Sequence, residues 1–196
     1  MKLLTARLLI GFGLLCLILN LVVYWERTNP KRLSFSDYMH REVSSKAPIH
    51  KQPVRIIIKS LKIDLPVIPA RISNAQWETT HAGVSYLVSS PIPGERGNSI
   101  LYGHNWTNLL ANLTKAKPGD TVEIRYSDSS KKIFVIELTG VISPNQTHIL
   151  EPSTDTRITL YTCTGFFDSK RFVATAILHY PQRNDNNSYI SFYIMN

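Results

Sequence analysis

The chain has 196 residues, room for one domain with appendages, and an ordinary 43% hydrophobic content that supports a packed core. Its formal net charge of +8 suits an anionic surface such as lipid head groups or cell-wall polymer. The basic residues are dispersed and no DNA- or RNA-binding motif is present, which argues against a nucleic-acid partner, and 2 cysteines in all argue against a disulfide scaffold.

Residues 8–25 form a charge-free apolar run in which only Asn20 is strongly polar. A spanning helix needs about 20 such residues, so this run can cross a bilayer. Tyr24 and Trp25 close it where an interfacial aromatic belt belongs. A cleaved signal peptide would have a shorter apolar core and small residues at its end, and Val22-Val23-Tyr24-Trp25-Glu26 offers no such site. The expectation is an uncleaved, single-pass anchor over residues 1–25 in the cell membrane. Lys2 and Arg7 precede the run, while Arg27, Lys31 and Arg32 follow it and weaken the charge asymmetry. The reading adopted has the N-terminus inside and the bulk of the chain extracytoplasmic.

Residues 26–52 are polar and basic without a clean period and read as a linker. From Pro53 the pattern turns to short runs of β-favouring residues separated by Gly, Pro, Asn and Ser. Strands are expected at 54–58, 61–67, 83–88, 99–102, 121–126 and 132–141, with two more on either side of Gly165. Trp106, Leu109, Leu110 and Leu113 follow helical spacing and predict one short helix. Lys117-Pro118-Gly119-Asp120 carries Pro and Gly in type II turn positions. Residues 143–155 read as a polar loop anchored by Ile149 and Leu150. The expected fold is mostly β, a closed barrel or sandwich spanning residues 53–180. The tail, 181–196, ends in an apolar stretch too short to span a membrane and suited to an extra edge strand.

Chemistry concentrates around Cys163. Cys16 lies in the apolar run, so Cys163 has no partner for a disulfide, and a lone thiol outside the membrane draws attention as a reactive group. If the strands flanking Gly165 pair as a hairpin with Cys163 opposite Arg171, both side chains project from one face. Their Cβ atoms are then roughly 4.5–5.5 Å apart, which sets a fixed cation beside the sulfur. The competing reading is a small buried hydrophobe. A thiol nucleophile also needs a base. His40 and His50 fall in the linker, His148 in a loop and His179 at a strand end. His81 and His104 remain, and His104 is favoured because it follows a strand and Gly103.

At these residues the chain resembles a sortase. Gly97-Asn98-Ser99-Ile100-Leu101-Tyr102-Gly103-His104, Lys117-Pro118-Gly119-Asp120, Thr159-Leu160-Tyr161-Thr162-Cys163 and Arg171-Phe172-Val173-Ala174 carry the resemblance, in the order His, Cys, Arg. Pro53-Val54-Arg55-Ile56-Ile57-Ile58 and Pro93-Gly94-Glu95 add to it. The resemblance implies a closed eight-stranded barrel with one or two short helices behind a transmembrane helix. It implies a transpeptidase that cleaves a Leu-Pro-x-Thr-Gly-like sorting signal near the C-terminus of secreted proteins. An amine from a cell-wall precursor or a pilin lysine then takes the acyl group. Carried over by motif, Cys163 is the nucleophile, His104 the acid–base and Arg171 the oxyanion or backbone donor. Thr162 and Leu160 are expected to contact substrate. No cofactor is expected, and Glu151 and Asp155 are too few carboxylates for a calcium site. Ser36-Asp37-Tyr38 lacks the proline of a pilin-type lid, so the linker is expected to leave the groove open. The alternatives are a cysteine peptidase that hydrolyses the same thioester and a non-catalytic, membrane-tethered binding barrel.

Overall fold

The computed structural model describes residues 2–28, 33–35, 51–73 and 76–180. The edge strand expected in the tail and the Ser36-Asp37-Tyr38 motif lie outside the described residues. Among the described residues there is one α-helix, α1 (Lys2–Thr28). Its stretch Thr5–Glu26 is 22 residues long and apolar enough to cross a membrane. At about 1.5 Å rise per residue that is ~33 Å, close to one hydrocarbon core. The one strongly polar side chain within it, Asn20, donates from Nδ2 to the Cys16 carbonyl (2.9 Å), which satisfies an amide group inside its own helix.

The remainder is a barrel. Its strands are β1 (Pro53–Ile58), β2 (Ile63–Ala70), β5 (Val84–Leu87), β6 (Gly97–Gly103), β7 (Thr121–Tyr126), β8 (Lys131–Ile142), β9 (Thr156–Thr164) and β10 (Lys170–Leu178). A two-stranded ribbon, β3 (Ile72–Ser73) with β4 (Gln76–Trp77), interrupts the path from β2 to β5. The barrel closes in the order β1-β2-β5-β6-β9-β10-β8-β7. The pairs β2–β5 and β6–β9 are parallel and the other barrel pairs antiparallel. Closure leaves no free edge among these strands.

Two apolar clusters divide the side chains by face. Ile56, Val84, Leu101, Ile124, Phe134 and Leu160 belong to the interior cluster. Ile100, Tyr102, Tyr161, Cys163 and Val173 belong to a second cluster on the opposite face of β6, β9 and β10, covered by Trp77 of β4 and by Leu150. Every residue of β6 is buried, because both its faces are covered. This explains why its sequence reads as a continuous run rather than an alternation.

The expected helix over Trp106–Leu113 is absent. The segment forms turns and then a short 3-10 helix, Ala111–Lys115, with Leu110 and Leu113 buried in the interior cluster. Asn105, Thr107 and Asn108 favour turns over helix interiors, and the Leu110 amide bonds back to the His104 carbonyl (3.1 Å). The turn at Gly119 has φ +93°, as the type II reading requires.

Asn98 ties the covering loop to the barrel. Its Nδ2 donates to the carbonyls of Ile149 (2.9 Å) and Glu151 (3.1 Å), and its Oδ1 accepts from Thr159 Oγ1 (2.7 Å). Asn98→Ala removes three bonds and leaves buried groups unpaired, so it should cost about 2–3 kcal/mol. The loss will show as a lower urea midpoint at unchanged m-value. A midpoint equal to wild type would mean that the loop is held by Leu150 alone.

Candidate active site

Strand register brings three residues to one end of the barrel. β9 and β10 are antiparallel, with Cys163 directly opposite Arg171. β6 and β9 are parallel and end on the pair Gly103–Thr162, so His104 and Cys163 are the next residues on neighbouring strands. Adjacent strands lie about 4.8 Å apart. The hairpin expected from the alternation of residues 157–176 is the one observed. Cys163, Arg171 and His104 are all buried, at 3%, 3% and 4% exposure.

Thr162 and Leu160 do not face the groove. Leu160 packs in the interior cluster, and Thr162 shares its parity, with Oγ1 donating to the Gly103 carbonyl (2.8 Å). Period-two alternation forces this, because a strand that presents Cys163 outward must turn Thr162 and Leu160 inward. Thr162 therefore locks β9 to β6 beside His104. The groove side is built by Tyr161, Val173, Tyr102 and Trp77, which the sequence reading passed over. Tyr161 was accessible from sequence, since it stands two residues before Cys163 on the same face.

The guanidinium of Arg171 is held by main-chain oxygens. Nη1 donates to the carbonyls of Asp168 and Lys170 (3.0 Å each), and Nη2 donates to the carbonyl of Ser34 (3.0 Å). The Asp168 carbonyl is aimed by a strained tip, with Phe167 at φ 50° and Asp168 at φ 57°. Left-handed backbone at non-glycine residues costs about 1–3 kcal/mol each and persists where its surroundings enforce it. Arg171 Nε and His104 Nε2 are buried with no hydrogen-bond partner among the described residues. The Ser34, Ser85, Ser89 and Ser99 hydroxyls share this state, and such groups are completed by water, an ion or a ligand.

His104 stacks on Trp106 (centroids 4.8 Å, 18° between planes), and His81 contacts both rings, at 5.2 Å from His104 and 4.8 Å from Trp106. Burial pushes the His104 pKa down to about 4, and the charge of His81 adds to this, with Asp168 opposing. His104 is therefore a neutral imidazole at neutral pH.

The groove is not open. Leu33 is fully buried and Phe35 nearly so, both within the cluster that contains Cys163. Phe35 meets Tyr161 edge-on at 5.0 Å and lies under the Arg171 guanidinium, 5.9 Å from its ring centroid. Tyr161 donates its hydroxyl to the Leu33 carbonyl (3.0 Å). An open groove was expected because Ser36-Asp37-Tyr38 lacks the lid proline, and Leu33 and Phe35, isolated apolar residues in a polar linker, carry no periodic signal.

The depressed pKa of His104 links its titration to stability. The unfolded imidazole, near 6.5, binds a proton before the folded one, near 4. Stability is complete above pH 6.5 and falls as pH drops through the window to about 4, by about 1–3 kcal/mol allowing for solvent screening at the groove mouth. His81→Gln removes an opposing charge, so the His104 pKa should rise and the acid loss should shrink. Titration of the His104 ring by NMR, with melting measured across the same pH range, checks both. An unmoved His104 titration would show that His81 has no electrostatic hold on it.

A family model for the sortase domain matches residues 56–179. Among solved structures, sortase A of Listeria monocytogenes superposes with a TM-score of 0.54 at 26% identity, over 66% of this chain and 88% of that one. A lid mutant of sortase A from Corynebacterium diphtheriae gives 0.57 at 25% identity, over 77% and 82%. Sortase C of Clostridium perfringens, solved with the C-terminal cell wall sorting motif, gives 0.55 at 23% identity over 68% and 74%, a likeness of fold alone. No curated protein matches the sequence. The matched span takes in His104 just past β6, Cys163 on β9 and Arg171 on β10, and the chain belongs to the sortase family.

Proposed function

We propose that this protein is a membrane-anchored cysteine transpeptidase acting on the sorting signals of secreted proteins. The observation that carries the reading is the register: Cys163 opposite Arg171, with His104 one residue past the last β6–β9 pair. The sulfur of Cys163 attacks the scissile carbonyl carbon, forming a C–S bond as its proton passes to neutral His104. The carbonyl oxygen gains negative charge in the tetrahedral intermediate. Arg171, with a buried Nε–H to offer, stabilises that charge. When the oxyanion collapses the C–N bond breaks, and His104 gives its proton to the leaving amine. An incoming amine reverses the sequence: it attacks the thioester, loses its proton through His104 and regenerates the thiol. The net reaction exchanges one amide for another.

The substrate class is an extended peptide of the Leu-Pro-x-Thr-Gly kind at the C-terminus of a secreted protein. The sorting motif held by the Clostridium sortase C supports that choice. The acceptor is an amine of a cell-wall precursor or a pilin lysine. Helix α1 supplies the anchor, with the barrel on the extracytoplasmic side.

Mixing the protein with a sorting-signal peptide should give an acyl adduct on Cys163 visible by intact mass. Adding an amine acceptor should convert that adduct to a longer amide product, whereas accumulation of free acid alone would mark a hydrolase. Cys163→Ala should give no adduct and no cleavage on an unchanged fold. Wild-type cleavage by that variant would remove the mechanism.

Arg171→Lys replaces a planar fork of five donors by a compact point charge. It should lose about 2–4 kcal/mol of transition-state stabilisation, the range for one oxyanion donor, read from kcat/KM. Turnover near wild type would mean that Arg171 contributes charge and no directed hydrogen bond.

A further inference from the structure

The tip between β9 and β10 carries two rings that the core does not use. Phe166 is 84% exposed and Phe167 57%, and the rings meet edge to face at 4.4 Å. Single exposed apolar side chains are common, but an aromatic pair on a stiff projection marks a contact surface. The projection is stiff because its backbone is closed and pinned. The Asp168 amide donates to the Gly165 carbonyl and the Ser169 amide to the Phe166 carbonyl (3.2 Å each). Arg171 Nη1 holds the Asp168 carbonyl at 3.0 Å, with Phe167 and Asp168 in left-handed backbone. That strain serves no packing of the Phe167 ring, which stays exposed.

The tip also has a bounded distance from α1. Tyr24 and Trp25 mark the level at which the helix leaves the hydrocarbon. From Thr28 to Ser34 the chain spans at most ~22 Å. The Ser34 carbonyl accepts from Arg171 Nη2, and the Asp168 carbonyl of the tip accepts from Nη1 of the same guanidinium. One planar group thus couples the tip to the chain that emerges from the bilayer. Lys170, exposed beside the rings, offers a positive charge to anionic head groups, in a chain of net charge +8. Aromatic rings flanked by basic side chains are the composition of an interfacial contact.

We propose that Phe166 and Phe167 enter the head-group layer of the bilayer that α1 spans, as a second membrane contact of the protein. The proposal rests on α1 as a span and is independent of the peptide-transfer chemistry. From Cys163 to Phe166 the chain extends at most ~11 Å, so the thiol is held close to the lipid surface.

The test uses the full chain in vesicles of phosphatidylcholine and phosphatidylglycerol, in a Cys16→Ser, Cys163→Ala background with one added cysteine. Ser169→Cys puts a fluorophore in the tip and leaves both rings in place. Ser129→Cys puts the same fluorophore in the turn between β7 and β8, at the other end of β8 from Ile142, the partner of Arg171. Lipid spin-labelled near the head group should quench the tip fluorophore at least about threefold more than the turn fluorophore. Phe166→Ser with Phe167→Ser should cut the tip quenching by at least about half, and Phe166→Trp with Phe167→Trp should keep it. Equal quenching at the two positions overturns the proposal. Tip quenching that the serine pair leaves unchanged also overturns it, because the tether alone then accounts for it. Energy transfer between tip fluorophores that survives dilution of the protein in lipid would mean that the rings meet a second copy of the chain, and would overturn it too. If the serine pair does not fold, Phe166→Ser alone is judged by the same threshold. Flotation with the vesicles reads the anchor by itself. A chain that floats without tip quenching keeps α1 as a span and loses the tip contact, and a chain that does not float loses both.

Discussion

The two-residue period of β9 and β10 is the constraint on which the rest depends. A strand in a closed barrel must give every second side chain to the interior, so Ile158, Leu160, Phe172, Ala174 and Ala176 are committed to packing. What remains for chemistry is the other half: Tyr161 and Cys163 on β9, Arg171 and Val173 on β10. A one-residue slip between these strands would bury Cys163 in the core and separate it from Arg171. The register of β10 is held on both sides, against β9 and against β8. The placement of Cys163 beside Arg171 is therefore a by-product of filling the barrel.

Burying a guanidinium costs several kcal/mol unless its N–H groups are bonded. The site meets this requirement with carbonyls rather than carboxylates: Asp168 from the strained tip, Lys170 from the start of β10, and Ser34 from the linker. A carboxylate partner would neutralise the positive charge that an oxyanion needs. Carbonyls fix the plane of the group and leave its net charge available. The linker contact is also weak in balance. Burying Leu33 and Phe35 contributes about 3–6 kcal/mol, and two hydrogen bonds about 1–3 kcal/mol more. Ordering three residues and their side chains costs about 4–8 kcal/mol. The sum lies within a few kcal/mol of zero, so the seating of Leu33 and Phe35 is marginal.

The parts of the site that were legible in sequence are those set by local alternation. The Cys163–Arg171 hairpin follows from residues 157–176 alone. Thr162 and Leu160, expected to contact substrate, stand on the other face by the same alternation. The choice of His104 over His81 rested on its place after Gly103. The structure puts the two rings within contact of each other, so a pattern of residues separated the histidines less sharply than their burial does. The helix expected around Leu110 failed because its apolar spacing serves turns that plug the barrel end. Trp77 and the linker residues were beyond reach for another reason. Leu33 meets Tyr161 across a sequence separation of 128, and no local pattern encodes such a contact.

The burial of Leu33 and Phe35 against the barrel also sets a length. Between Thr28, the last residue of α1, and Leu33 lie only residues 29–32. At most about 3.6 Å per residue, this stretch spans no more than ~18 Å. Between Thr28 and Pro53, where the barrel begins, the chain could extend to ~90 Å by the same rule. With Leu33 seated, its place on the barrel stays within that distance of the end of α1, about one fifth of what the chain from Thr28 to Pro53 would allow. The contacts of Leu33 and Phe35 beside Cys163 thus also fix how far that face can stand from the helix.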